Sequence, residues 1–529
     1  MRETLGHSTS AGLLTLAAGK SGSIAPMLTT LTLLLACNPS TPRSGGGGGG
    51  GAPGGNGGFM RQPDPAPVPA DPEPSRKTHP IDGNVLFIVL DDVGVDKMQF
   101  YGISENAPPT PALTKLAEQG RWFRNAWVQP MCSTTRAALM TGRYPRRTGV
   151  GNIIDWWKDE AELADSEVTV AEMLDSSQKT WSTSFVGKWH LSAGKGVPRA
   201  PGRQGFDWYR FLPGNLREGH SVRKGRSDEK MSYEHWVEYD NGEEKEVDGY
   251  VLRHQADDAI ARMKEMPEPW FLWTAFTGVH VPLAPPPSSL YGNLGVNESS
   301  PEADLYDATL RALDVEVGRV VGSLTSEQRA RTTIIVIGDN GTPDHAIRPP
   351  LVAREGKGSV MELGVRVPLI VASPLVDEVG PSEALVSSVD VFATIADLAG
   401  VDVGTLGVPI DGVSFYPALK KPGASGPRDM VYSERFAPNG AVARADDHRA
   451  VRDARWKLAV DVENGVETER FFDLSKGLEG PNLLRDGKLG AAQQQGHDKL
   501  RAEYDRLTAE LGAGAGRGGG AGLPVKIPN

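Results

Sequence analysis

From residue 84 the chain carries a continuous apolar run, Val85-Leu86-Phe87-Ile88-Val89-Leu90, and Asp91-Asp92 ends it abruptly. A short, β-branched run of this kind predicts a strand buried on both faces. Thr110-Pro111 then opens a helix, with a capping side chain and proline in its first turn; Leu113, Leu116 and Ala117 follow at helical spacing, and Gly120 stops it. Similar apolar runs recur at 183–186, 270–276, 332–337 and 368–372. Between them lie amphipathic stretches; Leu305, Ala308, Ala312, Val317, Val320 and Leu324 put one apolar stripe on a helix. The alternation predicts an α/β fold, a large, mostly parallel sheet sandwiched by helices.

Beyond Gly412 the rhythm changes. Tyr432-Ser433-Glu434, Trp456-Lys457-Leu458-Ala459-Val460 and Phe471-Phe472-Asp473-Leu474 read as short strands between turns, a smaller C-terminal subdomain built on an antiparallel sheet. A charged helix is expected over 499–511, and the glycine-rich end reads as disordered. At the other end, residues 44–58 are mostly glycine and 63–74 are rich in proline, a flexible coil followed by an extended spacer. Ahead of them Leu31-Thr32-Leu33-Leu34-Leu35-Ala36 is too short to span a bilayer but suits a signal-peptide core, with Lys20 as its positive flank. The expected organisation is therefore a signal over 1–37, a tether over 38–80, a catalytic α/β domain over 81–415, the small subdomain over 416–512 and a tail over 513–529.

The formal net charge of −11, with both signs interspersed along 529 residues, argues against a nucleic-acid binder and requires any anion site to be local. Cysteine is scarcer than any other informative residue: the chain has only Cys37 and Cys132. Leu34-Leu35-Ala36-Cys37 resembles the bacterial lipobox, which implies export, acylation of Cys37 and attachment to a membrane of the bacterial envelope, facing the periplasm or at the outer membrane. Cys132 then has no intramolecular partner, and an unpaired thiol in an oxidising compartment needs a reason.

Unusual polar residues sit directly after the predicted strands. Asp91-Asp92 follows the first, Gly187-Lys188-Trp189-His190 the second, His280 the third and Gly338-Asp339-Asn340-Gly341 the fourth. In open α/β sheets ligands bind outside the carboxyl ends of the strands, so these segments converge on one crevice. Asp91, Asp92, Asp339 and the amide oxygen of Asn340 make a hard, all-oxygen donor set suited to calcium or magnesium.

The segment Met131-Cys132-Ser133-Thr134-Thr135-Arg136-Ala137-Ala138-Leu139-Met140-Thr141-Gly142-Arg143 reads as helical over 133–139, which places Cys132 at a helix N-terminus with Arg136 one turn on. It resembles the sulfatase signature Cys-x-Pro-Ser-Arg-x-x-Leu-x-Thr-Gly, the proline being Thr134 and the serine Thr135 here. The resemblance runs from residue 84 to about 483. It takes in the first strand with Asp91-Asp92, Gly187-Lys188-Trp189-His190-Leu191, Asp339-Asn340-Gly341, Lys357-Gly358 ahead of Gly364-Val365-Arg366-Val367-Pro368, and Asp390 before a helix over 394–400.

This family, arylsulfatase-like members of the alkaline phosphatase superfamily, implies a sulfuric ester hydrolase. A maturation enzyme that reads the proline position closely would oxidise Cys132 to formylglycine, whose hydrate attacks sulfur. Calcium would be held by Asp91, Asp92, Asp339 and Asn340 and completed by the converted Cys132. Arg136 would orient the hydrate, and Lys188 and Lys357 would bind sulfate oxygens. His280 would protonate the leaving alcohol, and His190 would take a proton during sulfate release. The implied substrate is a sulfated small molecule or sulfated carbohydrate. Two alternatives stay open: a phosphonate monoester or phosphodiester hydrolase on the same scaffold, or a sulfated-glycan binder without turnover if Cys132 stays a thiol.

Overall fold

A computed structural model of the chain describes residues 79–514, apart from 159–160, 217–220, 224–225, 422–425, 441–445, 464 and 486. The expectations placed on Cys37, the signal and the tether lie outside the described residues. Among the described residues no helix is long and apolar enough to cross a membrane.

The strands are β1 (Asn84–Leu90), β2 (Arg121–Trp127), β3 (Ser182–Lys188), β4 (Trp208–Leu212), β5 (Ser221–Arg223), β6 (Arg226–Lys230), β7 (His235–Asp240) and β8 (Glu243–Asp248). They continue with β9 (Trp270–Ala275), β10 (Thr332–Gly338), β11 (Leu369–Ala372), β12 (Gly380–Ser387), β13 (Val431–Ala437), β14 (Asp446–Arg452), β15 (Trp456–Glu463) and β16 (Val466–Asp473). Ten of them form one sheet in the order β12-β2-β11-β10-β1-β9-β3-β4-β7-β8. The run from β10 through β1, β9 and β3 to β4 is parallel throughout. β13 to β16 form a separate antiparallel sheet, and β5 and β6 a two-stranded hairpin.

Period-two alternation explains why the first apolar run shows no polar face. Val85, Phe87 and Val89 enter one core together with the helices Cys132–Thr141 and Ser388–Ala399. Leu86, Ile88 and Leu90 enter a second core on the opposite face, with Val251–Glu265 and Glu302–Gly322. Both sides of β1 are therefore dry, as a central parallel strand requires.

Three local expectations need correcting. The run at 368–372 forms β11, but it lies antiparallel to β10. The connection leaving β10 returns at the end of the sheet it left, so β11 runs back. Thr110 precedes the helix Pro111–Glu118 but its side chain makes no cap. Asp314 of the long helix caps it instead, accepting from Ala112 N (2.9 Å) and Leu113 N (2.8 Å). The helix expected from 394 begins at Ser388, so Asp390 lies in its first turn, where it accepts from Ser387 N and pairs with Arg428. Asp240-Asn241-Gly242 forms the turn that joins β7 to β8, with Asn241 at φ 49° and Gly242 at φ 93°.

Candidate active site

Parallel register brings the carboxyl ends of β1, β10, β9 and β3 to one edge, since Leu90 pairs with Gly338 and Gly187 with Ala275. The residues that follow must therefore meet. Asp339 N donates to Leu90 O (3.0 Å), Asp92 N donates to Asp339 Oδ1 (3.0 Å), and Val279 N donates to Asp91 O (2.7 Å). Asp92 sits at φ 64°, held there by Tyr306, whose hydroxyl donates to its carbonyl at 2.6 Å. The turn Asp339-Asn340-Gly341 needs its glycine: a Cβ on Gly341 would stand 1.8 Å from Leu363 O.

Cys132 is the first residue of the helix Cys132–Thr141, with extended Met131 ahead of it. That places Cys132 Sγ 3.6 Å from Asp91 Oδ1 and 3.8 Å from Asp92 Oδ1. One turn along, Arg136 reaches the same cluster, Nε and one Nη donating to Asp339 Oδ2 at 3.0 and 2.8 Å and the other Nη to Lys188 O at 2.5 Å. Lys188 Nζ lies 2.5 Å from Asp91 Oδ2, and Lys357 Nζ 2.5 Å from Asp92 Oδ1. His280 Nε2 is 3.9 Å from Asp92 Oδ2, while its Nδ1 donates to Val281 O (2.8 Å). His190 is buried in the left-handed conformation, φ 62°, and its Nδ1 has no partner. Every sequence-predicted site residue thus arrives in one buried cluster, with the two lysines facing carboxylates.

Its electrostatics follow from burial. Burial raises the Asp91 and Asp92 carboxyls, but Lys188 beside the first and Lys357 beside the second outweigh it and leave both below the ordinary aspartate range. Asp339 goes the other way, raised by burial and by neighbouring Asp91 beyond what Arg136 offsets. Burial first, then Lys357, pushes His280 down to about 4, so it is neutral, and burial with Lys188 holds His190 well below its usual range. The helix N-terminus does not activate Cys132 as a thiol. Burial, with Asp339 and Asp91 opposing the two lysines, pushes that thiol far up.

The donor set fits a hard divalent cation. Ligand atoms of Asp91, Asp92, Cys132 and Asp339 lie within 4.8 Å of one another, and buried Asn340 Oδ1 has no hydrogen-bond partner while its Nδ2 donates to Asp92 Oδ1 (2.8 Å). Two residues that sequence reasoning passed over support this cluster. Tyr306 comes from the long helix and Ser133 accepts from Ile154 N (3.1 Å), fixing the segment over the helix that begins at Cys132. Tyr306 lies in no recognisable motif and Ser133 at a variable position of one, so only the packing of remote elements reveals their roles.

Fold and site together define an α/β protein with a polar, metal-suited cluster at the carboxyl ends of a mostly parallel sheet. The sulfatase family model matches residues 83–401, and the C-terminal model of N-sulphoglucosamine sulphohydrolase matches 356–506. The chain belongs to the sulfatase family and is a sulfatase by class of enzyme. An N-acetylgalactosamine-6-O-sulfatase of Bacteroides thetaiotaomicron is 29% identical over 389 residues, 60% of this chain and 72% of that one. Arylsulfatase A of Homo sapiens is 27% identical over 418 residues, 74% of this chain and 77% of that one. Among solved structures, Ps i-CgsB in complex with k-i-k-neocarrahexaose shares the fold with a TM-score of 0.64 at 23% identity, covering 82% of this chain and 98% of that one. BT4656 in complex with its substrate D-glucosamine-2-N,6-O-disulfate does so with a TM-score of 0.61 at 18% identity, covering 81% and 98%.

Proposed function

We propose that this sulfatase hydrolyses sulfate monoesters of a carbohydrate, with residue 132 converted to formylglycine and calcium held by Asp91, Asp92, Asp339 and Asn340. The observation that carries the reading is the meeting of Cys132 with three buried carboxylates and three buried cations in one cluster. A thiol so surrounded by carboxylate oxygens is a poor nucleophile as it stands, which favours a modified side chain at this position. Calcium, when bound, would neutralise sulfate oxygens and favour an ionised hydroxyl on residue 132. The relatives' action on sulfated sugars supports a carbohydrate as the alcohol half.

The chain's own residues supply the rest. Arg136, fixed on Asp339 and on Lys188 O, orients the side chain of residue 132 from the turn below. Lys188 and Lys357 stand as point charges for the sulfate oxygens; burial alone would lower Lys357, but Asp92 holds it firmly protonated. His280 carries its proton on Nδ1 toward Val281 O, so donation to the leaving oxygen falls to Nε2. A bound sulfate anion beside it favours the second proton that this donation needs. His190 Nδ1, buried and unpartnered, is placed to accept a proton as sulfate departs.

Mass spectrometry of the peptide containing residue 132, read alongside turnover of 4-nitrophenyl sulfate, tests the proposal. Aldehyde with turnover is expected; thiol throughout, with sulfated sugar bound but not cleaved, would refute it. A formylglycine-generating enzyme is the maturation partner this requires. The lipoprotein reading of Cys37 is a separate proposal, resting on the apolar run before it. Wild type should fractionate with membranes and Cys37→Ser should not; equal solubility would refute the anchor.

A further inference from the structure

The four cations that approach the cluster grade in exposure. Side chains of Lys188 and Arg136 are 0% and 1% exposed, Lys357 is 12% and Arg435 is 23% exposed. The opening therefore lies on the Lys357 side, and Arg435 stands beside it. This arginine belongs to β13 of the small sheet, and one of its Nη atoms donates to Gly358 O at 2.9 Å, one residue after Lys357. Gly358 N in turn donates to Pro130 O (2.9 Å), two residues before Cys132. Gly358 adopts φ +88°, and a Cβ there would lie 3.4 Å from an Arg435 Nη and 3.6 Å from Met131 Sδ. One glycine thus separates Arg435 from both the sulfate lysine and the segment bearing the nucleophile.

Arg435 is not consumed by its own partners. Its other Nη pairs with Asp446 at 2.6 Å, so each Nη, which carries two hydrogens, keeps one N–H beyond these bonds. Asp446 is shared with His448 Nε2, and His448 Nδ1 lies 2.7 Å from Asp461, which also takes Arg470 at 2.8 Å. Both ring nitrogens of His448 face carboxylates, a setting that only the doubly protonated ring satisfies. The row thus runs Arg435, Asp446, His448, Asp461, Arg470, with Arg435 at the end nearest Lys357.

We infer that Arg435 is a specificity-determining residue that receives a second oxyanion of the substrate, a carboxylate or sulfate carried by the sugar next to, or on, the unit bearing the scissile ester. The inference rests on the sulfatase reading above for the place of the scissile group. Its own basis is the arginine's position beside the Lys357 loop and the N–H groups its two partners leave over. A planar guanidinium with free N–H groups favours such oxyanions over neutral hydroxyls.

The test compares wild type, Arg435→Ala and Arg435→Lys on 4-nitrophenyl sulfate, a neutral 6-O-sulfated N-acetylhexosamine, its disaccharide with a uronate, and a disulfated glucosamine. Direct binding of the same sugars is followed by calorimetry. For Arg435→Ala the preference for the uronate disaccharide or the disulfated sugar over the neutral sugar should fall about tenfold or more, through KM and Kd, as for one charge-assisted hydrogen bond. Arg435→Lys should recover part of it. Loss confined to the disaccharide assigns the carboxylate; loss on the disulfated sugar assigns the second sulfate. An equal loss on the neutral sugar would make Arg435 a support for the Lys357 loop and overturn the inference, as would ratios within about twofold of wild type. Arg435-dependent binding without any sulfate ester turnover would instead overturn the sulfatase mechanism and leave this inference standing.

Discussion

Glu362 joins the small sheet to the loop that carries Lys357, and removing it is the sharpest test of how the two sheets are held together. Its carboxylate is 0% exposed and takes Trp127 Nε1 at 3.2 Å, Lys457 Nζ at 3.3 Å and an Arg452 Nη at 2.9 Å. Lys457, also 0% exposed, stacks over the Trp127 ring at 4.5 Å and has Glu479 as its other carboxylate at 2.6 Å. Glu362→Ala leaves three buried cations, Arg366, Arg452 and Lys457, with Glu479 as the remaining carboxylate of the group. Breaking a buried pair in this way costs about 3–5 kcal/mol, against roughly 1 kcal/mol or less for an exposed pair. Burial raises the Glu362 carboxyl, but Arg452 and Lys457 outweigh it and hold it below its ordinary 4.5. A depressed carboxyl contributes stability that is present above the unfolded value and is lost as pH falls through the folded one. The loss in Glu362→Ala should therefore be full at neutral pH and shrink in acid below that value. Urea unfolding followed by tryptophan fluorescence, at neutral and acid pH, measures it. A neutral-pH change below about 1 kcal/mol, or a loss that grows in acid, would refute the reasoning.

Three further outcomes follow from the site. Asp339→Ala should purify without stoichiometric calcium and without activity, since it removes a buried strand-end carboxylate; metal analysis showing one equivalent retained would overturn the ligand assignment. His280→Ala should slow sugar sulfates by about 10²–10⁴-fold, the usual worth of a general acid, and 4-nitrophenyl sulfate far less because its leaving group needs little protonation; equal losses on both would remove the acid role. Thr134→Pro should raise the aldehyde fraction at residue 132 in a heterologous host without destabilising the fold. The first helical bond runs from Thr135 N to Met131 O (3.0 Å), so proline at 134 costs no such bond, and it removes a buried hydroxyl that has no partner. An unchanged aldehyde fraction would show that the proline position is not limiting.

The chain's pattern determines the central strands and the site's membership. β1, β3, β9 and β10 are apolar enough to be read directly, and parallel register brings the polar residues that follow them, Asp91, Lys188, His280 and Asp339, to one edge. What the sequence left unread is where charges pair rather than where apolar side chains bury. β14, Asp446–Arg452, carries Asp446, Asp447, His448, Arg449 and Arg452 and has no apolar run, because its charged side chains find partners on β13 and β15 and elsewhere in the fold. β8, the edge strand, is charged along its length, and β7 beside it mixes buried Trp236, Val237 and Tyr239 with Glu238 and Asp240, so neither shows an apolar run. The local sequence places Cys132 at a helix N-terminus beside Arg136, whereas the carboxylates of Asp91 and Asp92 that face it are brought there only by the assembled fold. Local periodicity and strand termination fix which residues reach the crevice. Which carboxylate faces which cation, and how the Lys357 loop meets Arg435 of the small sheet, is decided by contacts between segments far apart in the chain, and only the tertiary structure holds that information.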